Sequence, residues 1–509
     1  MRRSGPSQSP SLRGPWRIVP LLVLFLAPPL HAQTTNTVTN PTDLSQQIQQ
    51  LTDAMARTQA QLQESQRQLD AMRAQLAALQ SQLSQTTAAT TDTTKAIDDL
   101  RERQEMQATQ IATHDQIKVE TASKYPLKIT GQLLFNGFVN TRAVDAPSTP
   151  TLALPGSGST GATVRQTVLG FDARGPHILG AQSYADLHVD FAGSPPTSGT
   201  STGISYTGYA SNNATLLRLR TAHAGLRWDH TEAYFSLDRP IFSPDSPATL
   251  TAVAEPALAW SGNLWTWNPQ LGITHDLPFA TTHALRLQAA LVDVGDAPLP
   301  VPSAAAAVPP TLSEQSRWPG VEARIAVLGS TTPDEGSHIG IGGYFAPHRD
   351  PLGYRFDSWA GTLDTRLQLP AHFALTGSFY RGQSLGGLGA GAYKDLAYRT
   401  SMTTGSYRYR PLSDVGGWAQ LQQTVNARLQ FNAAFGIDNA FANELRRYAS
   451  PTGTIYQNLA RNRTYTGNVI YSPSAYLVFS LEYRHLISSP ISSPATSSNI
   501  IGLGAGYRF

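Results

Sequence analysis

The sequence predicts an all-β transmembrane barrel of about sixteen antiparallel strands, preceded by an α-helical coiled coil. Three observations lead there. The chain closes on a strand, Asn499 to Phe509, in which Ile501, Leu503, Ala505, Tyr507 and Phe509 alternate with glycines and Arg508 and end on an aromatic carboxy terminus. A strand with one face to lipid and the other to a lumen must alternate in this way, and its last aromatics suit a membrane interface. Towards the amino end an apolar repeat of seven marks paired helices. Between the two, alternating runs recur, joined by connections that are short and long in turn.

Composition agrees with that class. The 509 residues carry 14% charged side chains, with a mean hydropathy of −0.23. A helical membrane protein would be more apolar, and a typical soluble enzyme more charged. A barrel needs apolar residues only at alternate positions, so its overall hydropathy stays near that of soluble chains. The net charge of +3 gives no reason to expect a nucleic-acid partner. The absence of cysteine excludes disulfides and thiolate metal sites and is compatible with an oxidising compartment.

Residues 1–32 read as a signal peptide. Arg2, Arg3, Arg13 and Arg17 precede an apolar run from Ile18 to Leu30, and Ala32 offers a small residue for cleavage. The run is too short for an anchor, and Pro20, Pro28 and Pro29 break it. No hydrophobic residues follow Arg2-Arg3 as twin-arginine export requires, so ordinary export is expected. No later stretch approaches the ~20 apolar residues of a spanning helix, so the mature chain must cross with strands.

A polar linker, 33–43, leads into a helical segment, 44–117. Leu44, Ile48, Leu51, Met55, Leu62, Leu69, Met72, Leu76, Leu79 and Leu83 recur at steps of four and three, with Thr58 and Ser65 as the polar members of the seam. This narrow stripe describes a left-handed coiled coil, whereas a globular helix has a broader one. Thr86 to Thr94 interrupts it, and Ile97, Leu100 and Ile111 resume the phase. A single such helix cannot bury its seam, so self-association is implied. A helix lying on a membrane surface would show interfacial Trp or Phe, which this one lacks.

After a second linker, 118–126, ending in the hinge Tyr125-Pro126, the period falls from seven to two, and the barrel domain occupies 127–509. The expected strands are 127–140, 162–174, 181–193, 214–228, 231–239, 268–277, 283–294, 319–329, 336–347, 355–369, 372–383, 415–424, 426–438, 461–472, 475–487 and 498–509. Most exceed the ~9–11 residues needed to cross at a tilt. Links after even strands are short: Gly175-Pro176-His177, Asp229-His230, Pro370-Ala371 and Ser472-Pro473-Ser474. Links after odd strands are long and rich in Gly, Pro, Ser or Thr, such as 194–213, 295–318, 384–414 and 439–460. Short turns on one rim and long loops on the other are the outer-membrane arrangement. A soluble sandwich or propeller has no reason to alternate its loops in this way.

The link Pro240 to Trp267 is too apolar for a solvated loop. It contains Ile241-Phe242-Ser243-Pro244-Asp245 and ends with Trp260, Trp265 and Trp267. It is expected to fold into the lumen and narrow it, with Asp245 and Glu255 as candidate acidic lining; the competing reading is an oligomer contact or external cap packed by its tryptophans.

Taken together, the chain resembles the DcaP-like trimeric outer-membrane porins, which carry a periplasmic coiled coil before a barrel of sixteen strands. The resemblance spans nearly the whole mature chain. It rests on the domain order, Leu217-Arg218-Leu219-Arg220-Thr221-Ala222-His223, the Trp260–Trp267 loop end, Gly416-Gly417-Trp418 followed by Gly436-Ile437-Asp438, and the closing strand. It implies a homotrimer in the bacterial outer membrane, in contact with its lipid, and passive uptake of small, often anionic, solutes. Several Ser/Thr/Gly/Ala-rich loops match nothing in that family and leave the solute open. The periplasmic helix could meet peptidoglycan or periplasmic proteins.

By alternation Arg218, Arg220, Arg286, Arg324, Arg366 and Arg428 point inward, as does Arg484. On the lipid face each would cost ~2–4 kcal/mol near the midplane. Most inward charges should pair across neighbouring strands. Arg218 and Arg220 stand out because they share one face of the strand before the hairpin that carries the apolar loop. Opposed to the loop's acids they would orient dipolar or anionic solutes.

Enzymatic patterns fail on context. Gly199-Thr200-Ser201-Thr202-Gly203 has the spacing of a nucleophile elbow but no helix after it. Gly502, Gly504 and Gly506 lie in a closing strand and not in a phosphate-binding turn. The histidines show no metal spacing on a helix. The expected function is a diffusion porin without catalytic, cofactor or metal sites. The competing reading is an outer-membrane anchor that tethers the cell wall through the coiled coil and conducts nothing. A barrel this wide favours the channel, since anchors commonly use about eight strands filled by side chains.

Overall fold

The computed structural model describes residues 118–119, 127–193, 216–298, 310–329, 336–400, 407–448 and 453–509. The signal peptide, the first linker, the coiled coil and most of the second linker lie outside the described residues.

Sixteen antiparallel strands close on themselves. They are β1 (Leu127–Val144), β2 (Ala153–Thr163, continued by Val168–Ile178), β3 (Ala181–Gly193), β4 (Leu216–Arg227), β5 (Thr231–Asp238), β6 (Asn268–Ala280), β7 (His283–Val292) and β8 (Gly320–Leu328). They continue with β9 (His338–Arg349), β10 (Arg355–Leu369), β11 (Phe373–Gln383), β12 (Ser413–Asn426), β13 (Leu429–Ala440), β14 (Leu459–Tyr471), β15 (Leu477–Pro490) and β16 (Thr496–Arg508). Each expected strand has a counterpart. Within the expected second linker, Lys118 and Val119 form a two-residue strand that pairs with Lys128 and Leu127.

β8 shows why these residues make a membrane wall. Val321, Ile325 and Val327 are each close to half exposed, whereas Glu322 and Arg324 are 2% and 4% exposed. The apolar side chains face out and the charged ones in, the inverse of a soluble sheet, and only a lipid surround makes that arrangement favourable. The closing seam joins β16 to β1 from Gln132↔Arg508 to Asn140↔Ile500. Beyond it, Phe509 and Gly131 exchange both backbone hydrogen bonds at 2.9 and 3.0 Å. A Cβ on Gly131 would lie 2.7 Å from the Phe509 ring, so glycine is what seats the terminal aromatic.

One rim has tight turns. Leu179 and Gly180, and likewise Ala371 and His372, have positive φ, as two-residue hairpins whose twist matches the strands require. The first of these corrects the expected turn at Gly175-Pro176-His177. Those residues belong to β2, where a register shift between Arg174 and His177 accommodates the proline. The other rim carries the long loops, with two exceptions, 350–354 and 491–495. Asp350 closes the first by accepting from the Tyr354 amide at 2.8 Å, with Gly353 at φ +94°.

The first half of β2 is an unexpected strand. Ala153–Thr163 reads as a loop, being mostly Gly, Ser and Thr, yet it pairs with the outer half of β1. Small residues are required there because Gly161 lies against the Phe138 ring and Gly158 against the Asn140 carbonyl.

Candidate pore and its inner loop

β4 aligns Arg218 and Arg220 on one face, as alternation demands. Arg218 makes a bidentate pair with Asp190 of β3 at 3.0 and 2.6 Å and donates to the Ala254 carbonyl at 2.7 Å. Arg220 stands 3.8 Å from the same carboxylate. Both guanidiniums lie over the Trp267 ring, at 5.2 and 5.0 Å. Two cations thus share one anion and one aromatic ring, leaving the group net positive.

The loop 239–267 bonds to side chains of many other strands. At its start the Ile241 amide donates to Glu322 of β8 and the Phe242 carbonyl accepts from Thr362 of β10. Asp245 then pairs with Arg366 of β10 and lies 3.0 Å from His338 of β9. His338 also reaches Asp364, which holds Arg324 in a bidentate pair at 2.9 and 2.6 Å. Further on, Thr249 and Thr251 donate to Glu482 of β15, which also holds Arg484 at 2.7 Å. Asn136 of β1 donates to the Leu250 carbonyl, and Gln166, between the halves of β2, bonds Thr251, Val253 and Ala254. Glycines leave room for this path: Gly342 lies against Phe242, Gly502 against Thr251 and Gly504 against Leu250.

The second half of the loop packs differently. Trp260 stacks on Tyr393 at 4.5 Å and meets Trp265 edge-on at 6.1 Å, while Trp265 meets Trp267 at 5.4 Å. Trp260 and Trp265 join an apolar cluster with Leu152, Tyr393, Leu412, Leu445 and Leu459, drawn from loops 145–152, 384–412 and 441–458 and the adjoining start of β14. Fully buried Lys394 ties these loops together: its ammonium donates to the carbonyls of Ala392, Tyr456 and Leu459 at 2.8, 3.1 and 2.8 Å. Burial depresses Lys394 to about 7, against the pull of Asp438 and Asp414.

Of the remaining expected site residues, Arg286 of β7 pairs with Asp276 at 2.8 and 2.7 Å. Arg428 lies in the turn between β12 and β13 and not in a strand, because β12 extends to Asn426. Glu255 lies in the loop, where burial and nearby Asp145 push its carboxyl up to about 7 against the pull of Arg218. Two groups escaped the sequence reading. Arg239, at the loop's entry, bonds Ser246 and faces Asp238 and Asp245. His223 bridges Asp186 and Asp238 at 2.7 and 3.1 Å. Alternation marks which residues face inward but not which of them a loop later covers. Among the described residues no set of three or more His, Asp or Glu could hold a metal.

Accessibility varies along the wall. On β3 to β7 the side chains of Asp186, His188, Arg218, Asp238 and Asp276 keep 23–34% exposure, Arg220 and Arg286 keep 17%, and Asp190 is fully buried. On β10 and β15 Asp364, Glu482 and Arg484 keep at most 7%, whereas Arg366 keeps 27%. Charges of both signs are thus partly accessible on several inward faces.

No protein-family model matches the chain, and no curated protein does. Among solved structures, the outer-membrane channel DcaP of Acinetobacter baumannii superposes with a TM-score of 0.54 at 13% identity, covering 77% of this chain and 99% of that one. The barrel has the DcaP fold. An anion-selective porin from Comamonas acidovorans (TM-score 0.45, 10% identity, 76% of this chain and 100% of that one) and OprB of Pseudomonas putida (0.43, 10%, 75% and 94%) are more distant. With identity this low, the DcaP likeness speaks to the fold alone.

Proposed function

We propose that this chain is an outer-membrane porin through which small hydrophilic solutes, anionic ones among them, diffuse passively. The observation that carries the reading is a closed wall with apolar side chains outward and charged ones inward, several of which (Asp186, Arg218, Asp238 and Arg366) keep 23–33% exposure, together with a loop 239–267 bonded to side chains of many strands. In this reading the loop 239–267 narrows the lumen, and Arg218 and Arg220 on Trp267, with Arg239 close by, form the basic side of the narrowing. Glu255 and Asp238 supply the acidic side. A low-dielectric wall focuses the field of such charges on a passing solute. Assembly as a homotrimer, joined through the helical segment 44–117, belongs to the same reading.

Planar-bilayer recording of the purified full chain tests it. Stepwise conductance with an anion-favouring reversal potential is expected. Arg218→Ala with Arg220→Ala should reduce the anion-to-cation permeability ratio by roughly two- to tenfold. A folded protein that never conducts would sink the porin reading in favour of an anchor, and an unchanged reversal potential would remove the two arginines from the filter.

A further inference from the structure

The outward face of β11 to β14 breaks the rule that the lipid side is apolar. Two rungs of the sheet define the place. One runs Arg381, Val415, Asn439, Arg461; the next, one step closer to the membrane centre, runs Phe379, Gly417, Ile437, Arg463. All eight are outward positions by the alternation of their strands, and Phe379 is 52% exposed. Gly417 contributes no side chain to its rung, and the space it leaves forms part of a groove of about 430 Å³. Phe379, Ala419, Phe435 and Ile437 line the groove, with Asn439 and Arg461 at its upper end.

Arg461 donates to Asn439 at 2.7 Å, and Arg463 holds its Nε buried without a hydrogen-bond partner. No carboxylate among the described residues pairs with either. Arg381, across the groove, lies over Phe441 at 4.5 Å and donates to the Asp414 carbonyl. Depth explains how such charge is tolerated. From Tyr471, at the turn-side end of β14, to Arg463 the climb is roughly 20 Å at ~3.3 Å per residue and a tilt near 40°. The apolar band is ~25 Å tall, so these guanidiniums sit at its loop-side margin, where lipid headgroups begin.

We infer that this groove seats a phosphate-bearing lipid of the loop-side leaflet, its phosphate on Arg461 and Arg463 and one acyl chain along Phe379, Ala419, Phe435 and Ile437. Guanidinium matches phosphate in a bidentate fork, and an apolar trough directly beneath it matches an acyl chain. The inference takes only the membrane setting from the proposed function, and a barrel that retained the lipid without conducting would separate the two.

Native mass spectrometry of the detergent-purified full chain, titrated with dipalmitoyl phosphatidic acid and with dipalmitoyl phosphatidylcholine, provides the test. The wild-type chain should retain the phosphatidic acid at least about fivefold better. Arg461→Gln with Arg463→Gln should bring the two lipids level, and Ala419→Phe, which fills the trough, should lower retention of both. Heat-modified gel mobility verifies that each barrel is folded. Equal retention by wild type and the arginine variant overturns the inference. So does displacement of the lipid by millimolar inorganic phosphate, which would leave the trough without a role. Loss of the oligomer in the arginine variant would also overturn it, since the groove would then be a subunit contact.

Discussion

Arg218 illustrates how a residue acquires its role from several parts of the chain. Alternation puts it inward, Asp190 fixes its plane, the Ala254 carbonyl ties it to the loop, and Trp267 lies beneath it. Glu255, two residues along from Val253, adds a titratable switch to that field. Its carboxyl is raised to about 7, so it is mostly neutral below that pH and anionic above it. The basic cluster is therefore less opposed in acid. Anion preference should rise as pH falls from 8 to 6, and Glu255→Gln should hold it near its acid value throughout; a wild-type reversal potential that ignores pH over this range would refute the coupling. Alternation put Arg218, Arg220, Arg286, Arg324 and Arg366 on strand faces because a lipid-facing guanidinium is so costly, whereas Arg428 proves to lie in a turn. Other charges were less legible in the sequence: Arg239 closes the expected strand 231–239 but lies just past the end of β5, and Lys394 sits in a loop, where no periodicity fixes direction.

At the scale of the element, the loop 239–267 is held by side chains from β1, β4, β8, β9, β10, β12, β14 and β15 and by Gln166 between the halves of β2. The anchor at Asp245 is the most demanding, since Arg366 and His338 converge on one buried carboxylate. Removing one member of a buried ionic group costs more than the group contributes, about 3–5 kcal/mol when the remaining charge is left unpaired. Asp245→Asn should leave the barrel intact by heat-modified mobility yet give larger mean conductance and frequent transitions between levels. Quiet channels of wild-type size would show that the other tethers suffice. The sequence revealed that this loop was too apolar to be solvated but left its destination open between lumen and cap. The reason is visible in the packing, where Ile241 to Ala254 follows the wall and Trp260 and Trp265 join the outer cluster.

For the whole molecule, strand number and strand order followed from period and loop length, because both are imposed by the membrane and not by particular neighbours. What escaped was local. The Ala153–Thr163 half of β2 carries turn residues for steric reasons that only its partner strand explains. The turn after β2 moved because Pro176 was accommodated in a bulge. The lipid-facing pattern itself can be tested at Leu503, outward on β16 between Leu481 and Gly137. Leu503→Arg should cost ~2–4 kcal/mol near the midplane and reduce the yield of assembled barrel, whereas Gly504→Ser, facing inward against Leu250, should disturb the loop and not insertion. Equal assembly of Leu503→Arg and wild type in a lipid-vesicle refolding assay would contradict the assigned faces.

The tethers of the loop have a consequence for how the molecule comes into being. Glu482 lies 231 residues beyond Thr251, and Asn136 lies 114 before Leu250. One set of anchors belongs to the last strands made and the other to the first, and β16 brings them side by side. The loop can take its final course only after the ring has shut, so in the proposed porin the aperture is set as the last act of assembly. A chain that lost its closing strand would forfeit the aperture along with the seam.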